Sequence, residues 1–109
     1  MKLRELAHSR AGDKGNLLTI SVIAYRPEDY ETICTAVTHD AVHRHFSPVG
    51  ITKVERYELP RLGALNFVLH CAPGETVSRS LALDAHGKSY SSYMLEMDIQ
   101  PQYKLSKEA

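Results

Sequence analysis

The stretch Leu17-Leu18-Thr19-Ile20-Ser21-Val22-Ile23-Ala24-Tyr25 decides the fold class. Leu18, Ile20 and Val22 alternate with Thr19 and Ser21, so one face is apolar and the other mixed, the pattern of a strand half covered by a core. The next segment changes period. Pro27 suits the first position of a helix, and Glu28 and Asp29 complement its positive end. Tyr30, Ile33, Cys34, Val37 and Ala41 then recur at helical spacing as one stripe. Thr38 is a second N-cap with Asp40 in the following first turn, which divides the segment into helices over 27–36 and 39–46. Ser47-Pro48-Val49-Gly50 ends the second helix.

Upstream of this strand, residues 3–9 read as a second, weaker strand, and 10–16 as the loop between the two. Downstream, residues 51–59 are β-rich and stop at Pro60. Residues 62–69 are a short apolar run whose period does not settle helix against strand; the Gly- and Pro-containing turns on each side favour a short helix. The chain then reads as a hairpin. Arg79, Leu81 and Leu83 point one way on its first strand, and Asp84-Ala85-His86-Gly87 forms the turn. Tyr93, Leu95, Met97 and Ile99 form the apolar face of its second strand. This order predicts an α+β fold: a two-layer sandwich, mainly antiparallel, with helices on one face and a split βαβ unit as the natural arrangement. Leu18, Ile20, Val22, Ile33, Val37, Leu81, Leu83, Leu95 and Met97 are the expected core. Residues 1–100 read as a single domain and 101–109 as a polar tail.

Composition fits one ordinary globular domain. The chain has 109 residues, 43% of them apolar and 24% charged. That length buries roughly two-thirds of the unfolded surface, enough for one core without staples. Thirteen basic and thirteen acidic residues cancel, so no bulk field draws the chain to nucleic acid or anionic lipid. No run approaches the roughly 18 apolar residues of a membrane helix, and the N-terminus lacks the apolar core of a signal peptide. A cytoplasmic protein without nucleic-acid or membrane partners is the expectation. Cys34 and Cys71 are too few for a disulfide scaffold or a four-thiolate metal site.

The densest functional candidate is Ser9-Arg10-Ala11-Gly12-Asp13-Lys14-Gly15-Asn16. Its glycines permit tight turns that present N–H groups, and Arg10 and Lys14 add cations, so the segment can accept a phosphate or carboxylate. The spacing is neither that of a P-loop nor that of a dinucleotide fingerprint. The competing account is a polar hairpin in which Asp13 pairs with Lys14 or Arg10. Asp13, Lys14 and His8 are the candidate catalytic groups. His39 and His43 share a helix face, but with no third ligand in view no metal site is expected. Cys34 reads as core, and neither cysteine reads as a nucleophile. Asn66, in an apolar run, is either a hydrogen-bond node or a substrate contact. Arg79 carries the same two readings: it binds a substrate anion, or it pairs with Glu55, Glu58 or another carboxylate of the domain.

The segment Leu6-Ala7-His8-Ser9-Arg10-Ala11-Gly12-Asp13-Lys14-Gly15 resembles the L-A-H-x-R-S-G-D-K-G run of the small domain found at the C-terminus of AtuA-type acyclic terpene utilisation proteins, and also as a separate short protein. Ala11 stands where that family often has Ser. The likeness continues through Val22-Ile23-Ala24, Val42 to Phe46, Val54 to Pro60, Leu62 to Leu69, and Arg79-Ser80-Leu81 with Leu83-Asp84. Cys71-Ala72-Pro73-Gly74-Glu75 is shorter and less glycine-rich than the family's loop. The resemblance implies a ferredoxin-like fold without an iron–sulfur cluster or other cofactor, a CoA-thioester ligand excepted. It also implies a small subunit beside an AtuA-type large protein acting on acyl or acyl-CoA substrates. A small hydratase or lyase and a ligand-binding regulatory module are the alternatives. Homo-oligomerisation is expected from the edges and open face of such a sheet.

Overall fold

The computed structural model of the chain describes residues 1–14, 16–71 and 90–100, the side chains of Asp13, Lys14 and Val49 apart. Seven regular elements follow one another: β1 (Ala7–Lys14), β2 (Leu17–Ala24), α1 (Tyr30–Ala36), α2 (His39–His45), β3 (Ile51–Leu59), β4 (Ala64–Cys71) and α3 (Tyr90–Leu95). The strands form one sheet in the order β1-β2-β4-β3, and every neighbouring pair is antiparallel. β2 and β3 therefore run parallel with β4 between them, joined by the helical pair. That is the split βαβ unit expected from the sequence. Read from β2 round to β1, the described elements run β, α, β, β, α, β, the ferredoxin-like order with its last strand moved to the front.

The two ends close this circuit. Leu3 N donates to Met97 O at 2.9 Å and Ile99 N to Met1 O at 2.8 Å, and Lys2 and Asp98 form an isolated antiparallel bridge.

Register sorts every strand residue onto one of two faces. Leu18, Ile20 and Val22 of β2 lie opposite Leu69, Phe67 and Leu65 of β4, and all six are fully buried. Ile33, Val37, Val42, Phe46 and Met94 close the core from the helix side. Leu18, Ile20, Val22, Ile33, Val37 and Met97 are buried as expected, and Leu95 packs at the core's margin. Leu81 and Leu83 lie outside the described residues.

Capping sets the break between α1 and α2. Thr38 is extended, and its Oγ1 accepts from Ala41 N at 3.1 Å. Replacing Thr38 with alanine is expected to lower stability by about 1 kcal/mol, measured by urea denaturation. A loss below about 0.3 kcal/mol would mean that water serves that N–H equally well. Gly50 then turns the chain toward β3 at φ 83°.

Arg56, although on β3, reaches across to this helical layer. Its Nε donates to Val37 O at 3.1 Å and its Nη2 to Cys34 O at 2.8 Å, serving carbonyls at the end of α1 that have no partner inside the helix.

Three expectations are corrected. Residues 62–69 are not a helix: Ala64 onward is the central strand β4, whose side chains alternate between buried and half-buried from Leu65 on, with Ala64 buried too. Residues 93–99 are not one strand. Tyr90, Met94 and Met97 are buried at the spacing of a helical face while Tyr93 and Leu95 are only partly covered, so the chain coils through Leu95; it extends at the Asp98 bridge, beside which Ile99 is buried as well. The first strand begins at Ala7, after a 3₁₀ turn over Leu3–Glu5, and continues to Lys14 through most of the segment read as a loop. The expected hairpin turn at 84–87 and the 101–109 tail lie outside the described residues. No described helix is long and apolar enough to cross a membrane.

Candidate functional site

The helices cover one face of the sheet, and no element among the described residues covers the other, called the open face below. Register lays the open face out in transverse rows. His8, Ile23, Ala64 and Leu59 form one row. Arg10, Ser21, Asn66 and Tyr57 form the next, then Gly12, Thr19, Val68 and Glu55. Leu17, His70 and Lys53 belong to the fourth.

A shallow depression of about 170 Å³ lies across the second and third rows, lined by Arg10, Ala11, Gly12, Thr19, Ser21 and Asn66. Its floor is low because Gly12 has no side chain. A methyl group added there would meet Thr19 Oγ1 at an ordinary 3.7 Å, so it would fill space without strain. Thr19 Oγ1 donates to Gly12 O at 3.3 Å and Ser21 Oγ to Arg10 O at 3.4 Å. Both bonds are long, and either hydroxyl can be turned to a better acceptor at little cost. The Arg10 guanidinium and the Asn66 amide have no partner among the described residues. An unpaired fork of five donors beside an amide and two rotatable hydroxyls is chemistry for an oxyanion: carboxylate, phosphate or sulfate.

The sequence candidates divide between the faces. Arg10, Gly12 and Asn66 come together on the open face. Ser9 lies opposite Val22 on the helix side, with a buried hydroxyl that has no partner among the described residues. His8 is on the open face, stacked on Tyr25 at 5.4 Å between ring centroids. Asn16 belongs to the turn, where its carbonyl accepts from Cys71 N at 2.9 Å. Asp13 and Lys14 are paired in register with Leu18 and Leu17, and their side chains, like Gly15 and Arg79, lie outside the described structure. Glu58 is paired with Arg56 at 2.9 Å. His39 and His43 are exposed on α2. Among the described residues no group of three His, Cys, Asp or Glu is placed to hold a metal. Both cysteines are free thiols, Cys71 buried and Cys34 half-buried.

Sequence reasoning missed a second polar cluster on the same face. Glu55 accepts from the Tyr57 hydroxyl on one carboxylate oxygen and from His70 Nε2, at 2.6 Å, on the other. The Tyr57 and His70 hydrogen bonds hold the Glu55 carboxyl below its ordinary range, and the Tyr57 phenol is raised by the same contact. His70 thus has one ring nitrogen fixed by a carboxylate, the arrangement that orients an imidazole for proton transfer. The signal was present as alternation: Lys53, Glu55 and Tyr57 against Val54 and Arg56, and Asn66 and His70 against Leu65, Phe67 and Leu69. Reading residues 62–69 as helical concealed it.

Past the first row the surface turns apolar. Leu59, Pro60 and Leu62, with Glu58 and Arg61, line a groove of about 470 Å³. A second hollow of about 260 Å³ adjoins it, walled by Tyr25, Pro27, Tyr30 and Pro60 among others. Tyr30 donates to Ala64 O at 3.0 Å, and burial pushes its phenol up to about 12.

The family model described as the AtuA ferredoxin-like domain matches residues 1–100. Neither a search of curated proteins nor one of solved structures finds a match.

Proposed function

The chain belongs to the AtuA ferredoxin-like domain family, and from that premise we propose that it is the small, accessory subunit of an AtuA-type protein, to whose acyl or acyl-CoA site it contributes an anion-accepting surface. The supporting observation is the depression around Arg10, Gly12, Ser21 and Asn66, chemically suited to an oxyanion but too shallow to enclose a ligand. Small-molecule sites commonly bury about 70–90% of the ligand. A depression on an open sheet reaches that only when another surface closes over it. An AtuA-type large protein is the partner proposed, and a second copy of this chain is the competing occupant.

Mixing the chain with an AtuA-type large protein tests this reading. Co-elution is expected, with tighter binding of CoA thioesters by the mixture than by either component. Arg10→Ala is expected to weaken that binding at least about tenfold, as when a charged hydrogen-bond partner is lost, with the melting temperature unchanged. Co-elution with undiminished binding by the Arg10→Ala chain would refute the site. Failure to associate would refute the subunit role.

A second reading, a small lyase or hydratase, is favoured by the Glu55-oriented His70 on the same face. Turnover of CoA thioesters by the isolated chain would support it over the first.

A further inference from the structure

The sheet ends in two edge strands, β1 and β3, and they are built differently. β3 carries features that discourage further pairing: a register shift between Ile51 and Lys53, the lysine itself, and Pro60 at the strand's end. β1 keeps unbroken register with β2 from Ala7 to Lys14 and holds no proline. Arg10, Ala11 and Gly12 are exposed, and no strand among the described residues lies beyond them. Ala7 and Ala11 are both on the helix side, opposite Ala24 and Ile20. Ala7 is fully buried and Ala11 is exposed, so the helical layer stops short of this part of the edge.

The sheet also fixes which backbone groups face outward. The hydroxyls of Thr19 and Ser21 reach the carbonyls of Gly12 and Arg10, their register partners, so those carbonyls are turned toward β2. The hydrogen-bonding direction alternates along a strand. Ser9, Ala11 and Asp13 therefore present their N–H and C=O groups outward, as an unpaired ladder.

We propose that a second copy of this chain pairs here, β1 against β1, antiparallel about a two-fold axis through Ala11. Paired residues share a face, so the axis must pass through a residue, and charge and length decide which. An axis at Arg10 sets two guanidinium-bearing positions opposite each other. An axis at Gly12 sets Arg10 opposite Lys14. An axis at Ser9 sets Asp13 opposite Glu5, which is outside β1. The Ala11 axis sets Arg10 opposite Gly12, where there is no side chain to meet. It also sets Ser9 opposite Asp13, so every outward group of Ser9, Ala11 and Asp13 bonds across the seam.

The copies join edge to edge, so the two sheets become one and the open face stays free for a larger partner. The two depressions meet at the seam. Arg10 of one copy lies diagonal to Arg10 of the other, roughly 7–8 Å away and within reach of long side chains. A multiply charged oxyanion seated between them offsets their repulsion, which links anion binding to pairing. This link rests on the anion site around Arg10; the pairing itself does not.

Sedimentation of the full chain from about 10 µM to 1 mM, a range suited to a small interface, tests the pairing. A reversible monomer–dimer equilibrium is expected. Replacing chloride by sulfate at constant ionic strength should tighten it at least about tenfold, and Arg10→Ala should abolish that effect. Gly12→Lys, which adds a side chain without strain in the single copy, sets cation against Arg10 and should leave a monomer. Arg10→Glu and Gly12→Lys together should restore the dimer. Ala11→Cys should cross-link under mild oxidation, since opposed residues of a hydrogen-bonded pair lie about 5.5 Å apart. Ser9→Cys should not, because its two copies are out of register. A chain still monomeric at about 1 mM in sulfate, a Gly12→Lys chain that dimerises undiminished, equal cross-linking of the two cysteine variants, or equal tightening by sulfate in the Arg10→Ala chain would overturn the proposal. Arg10-dependent sulfate binding by a persistent monomer would sink the pairing and leave the anion site standing.

Discussion

Truncating Phe67 to alanine is expected to remove about 3–5 kcal/mol of stability, the range for a fully buried aromatic ring. Phe67 is fully buried on the central strand, opposite Ile20 on one side and Arg56 on the other. A strand hydrogen-bonded on both sides cannot shift to close the cavity. Domains of this size have about 5–15 kcal/mol in all, so the variant should melt about 12 °C or more below the parent. Val68, next along β4 and on the open face, should lose less than half as much when truncated, because it is smaller and already partly in water. Urea denaturation of the two variants checks both. Equal losses would mean that the faces of β4 have been assigned the wrong way round.

The second large effect is expected at Arg56. Its guanidinium donates to two carbonyls at the end of α1 and to Glu58, and only a fifth of the side chain is exposed. Arg56→Ala should cost about 2–3 kcal/mol, since hydrogen bonds from a charged group are worth about 1.5–3 kcal/mol and the carbonyls are left partly desolvated. The Glu58 contact adds little, because that carboxylate is more than half exposed. Glu58→Gln should therefore be nearly silent. Arg56→Lys should recover less than half of the loss, because one ammonium cannot serve the positions that the planar fork reaches. Amide exchange in α1 should quicken in both Arg56 variants. An Arg56→Ala chain within about 0.5 kcal/mol of the parent would show that water caps α1 as well as the arginine does.

The elements that the sequence revealed are those with one wet face. β2 alternates because its open side carries Thr19 and Ser21, and α1 and α2 show a stripe and a cap because their outer sides are solvated. β4 concealed itself by sitting in the middle. Val68 on its open side is as apolar as its core neighbours, and only Asn66 and His70 mark the period of two. α3 offered two periods at once: Tyr93, Leu95, Met97 and Ile99 alternate, while Tyr90, Met94 and Met97 recur as on a helix; Tyr93 and Leu95 are only partly covered whereas Tyr90 and Met94 are buried, so the helical period holds through Leu95. β1 gave almost no signal, since Ala7, Ser9, Ala11 and Gly12 are small. The depression was half legible for a different reason. Arg10 and Gly12 are neighbours in sequence, but Ser21 and Asn66 join them only through the register of β1 on β2 and β2 on β4. Glu55 and His70 meet through the register of β3 on β4, and no local pattern could have joined them.

The hydrogen-bonded meeting of Met1–Leu3 with Met97–Ile99 governs how the domain can be tethered. A linker leaving before residue 1 or after residue 100 departs from the same corner, at the end of the sheet where β1 begins and Tyr25 N donates to Leu6 O at 2.9 Å. A neighbour fused in front or behind would therefore search the same volume. For a short flexible linker the local concentration is in the millimolar range, whichever order the two are joined in. Two separate chains must reach that occupancy through affinity, whereas one continuous chain reaches it through covalent linkage alone.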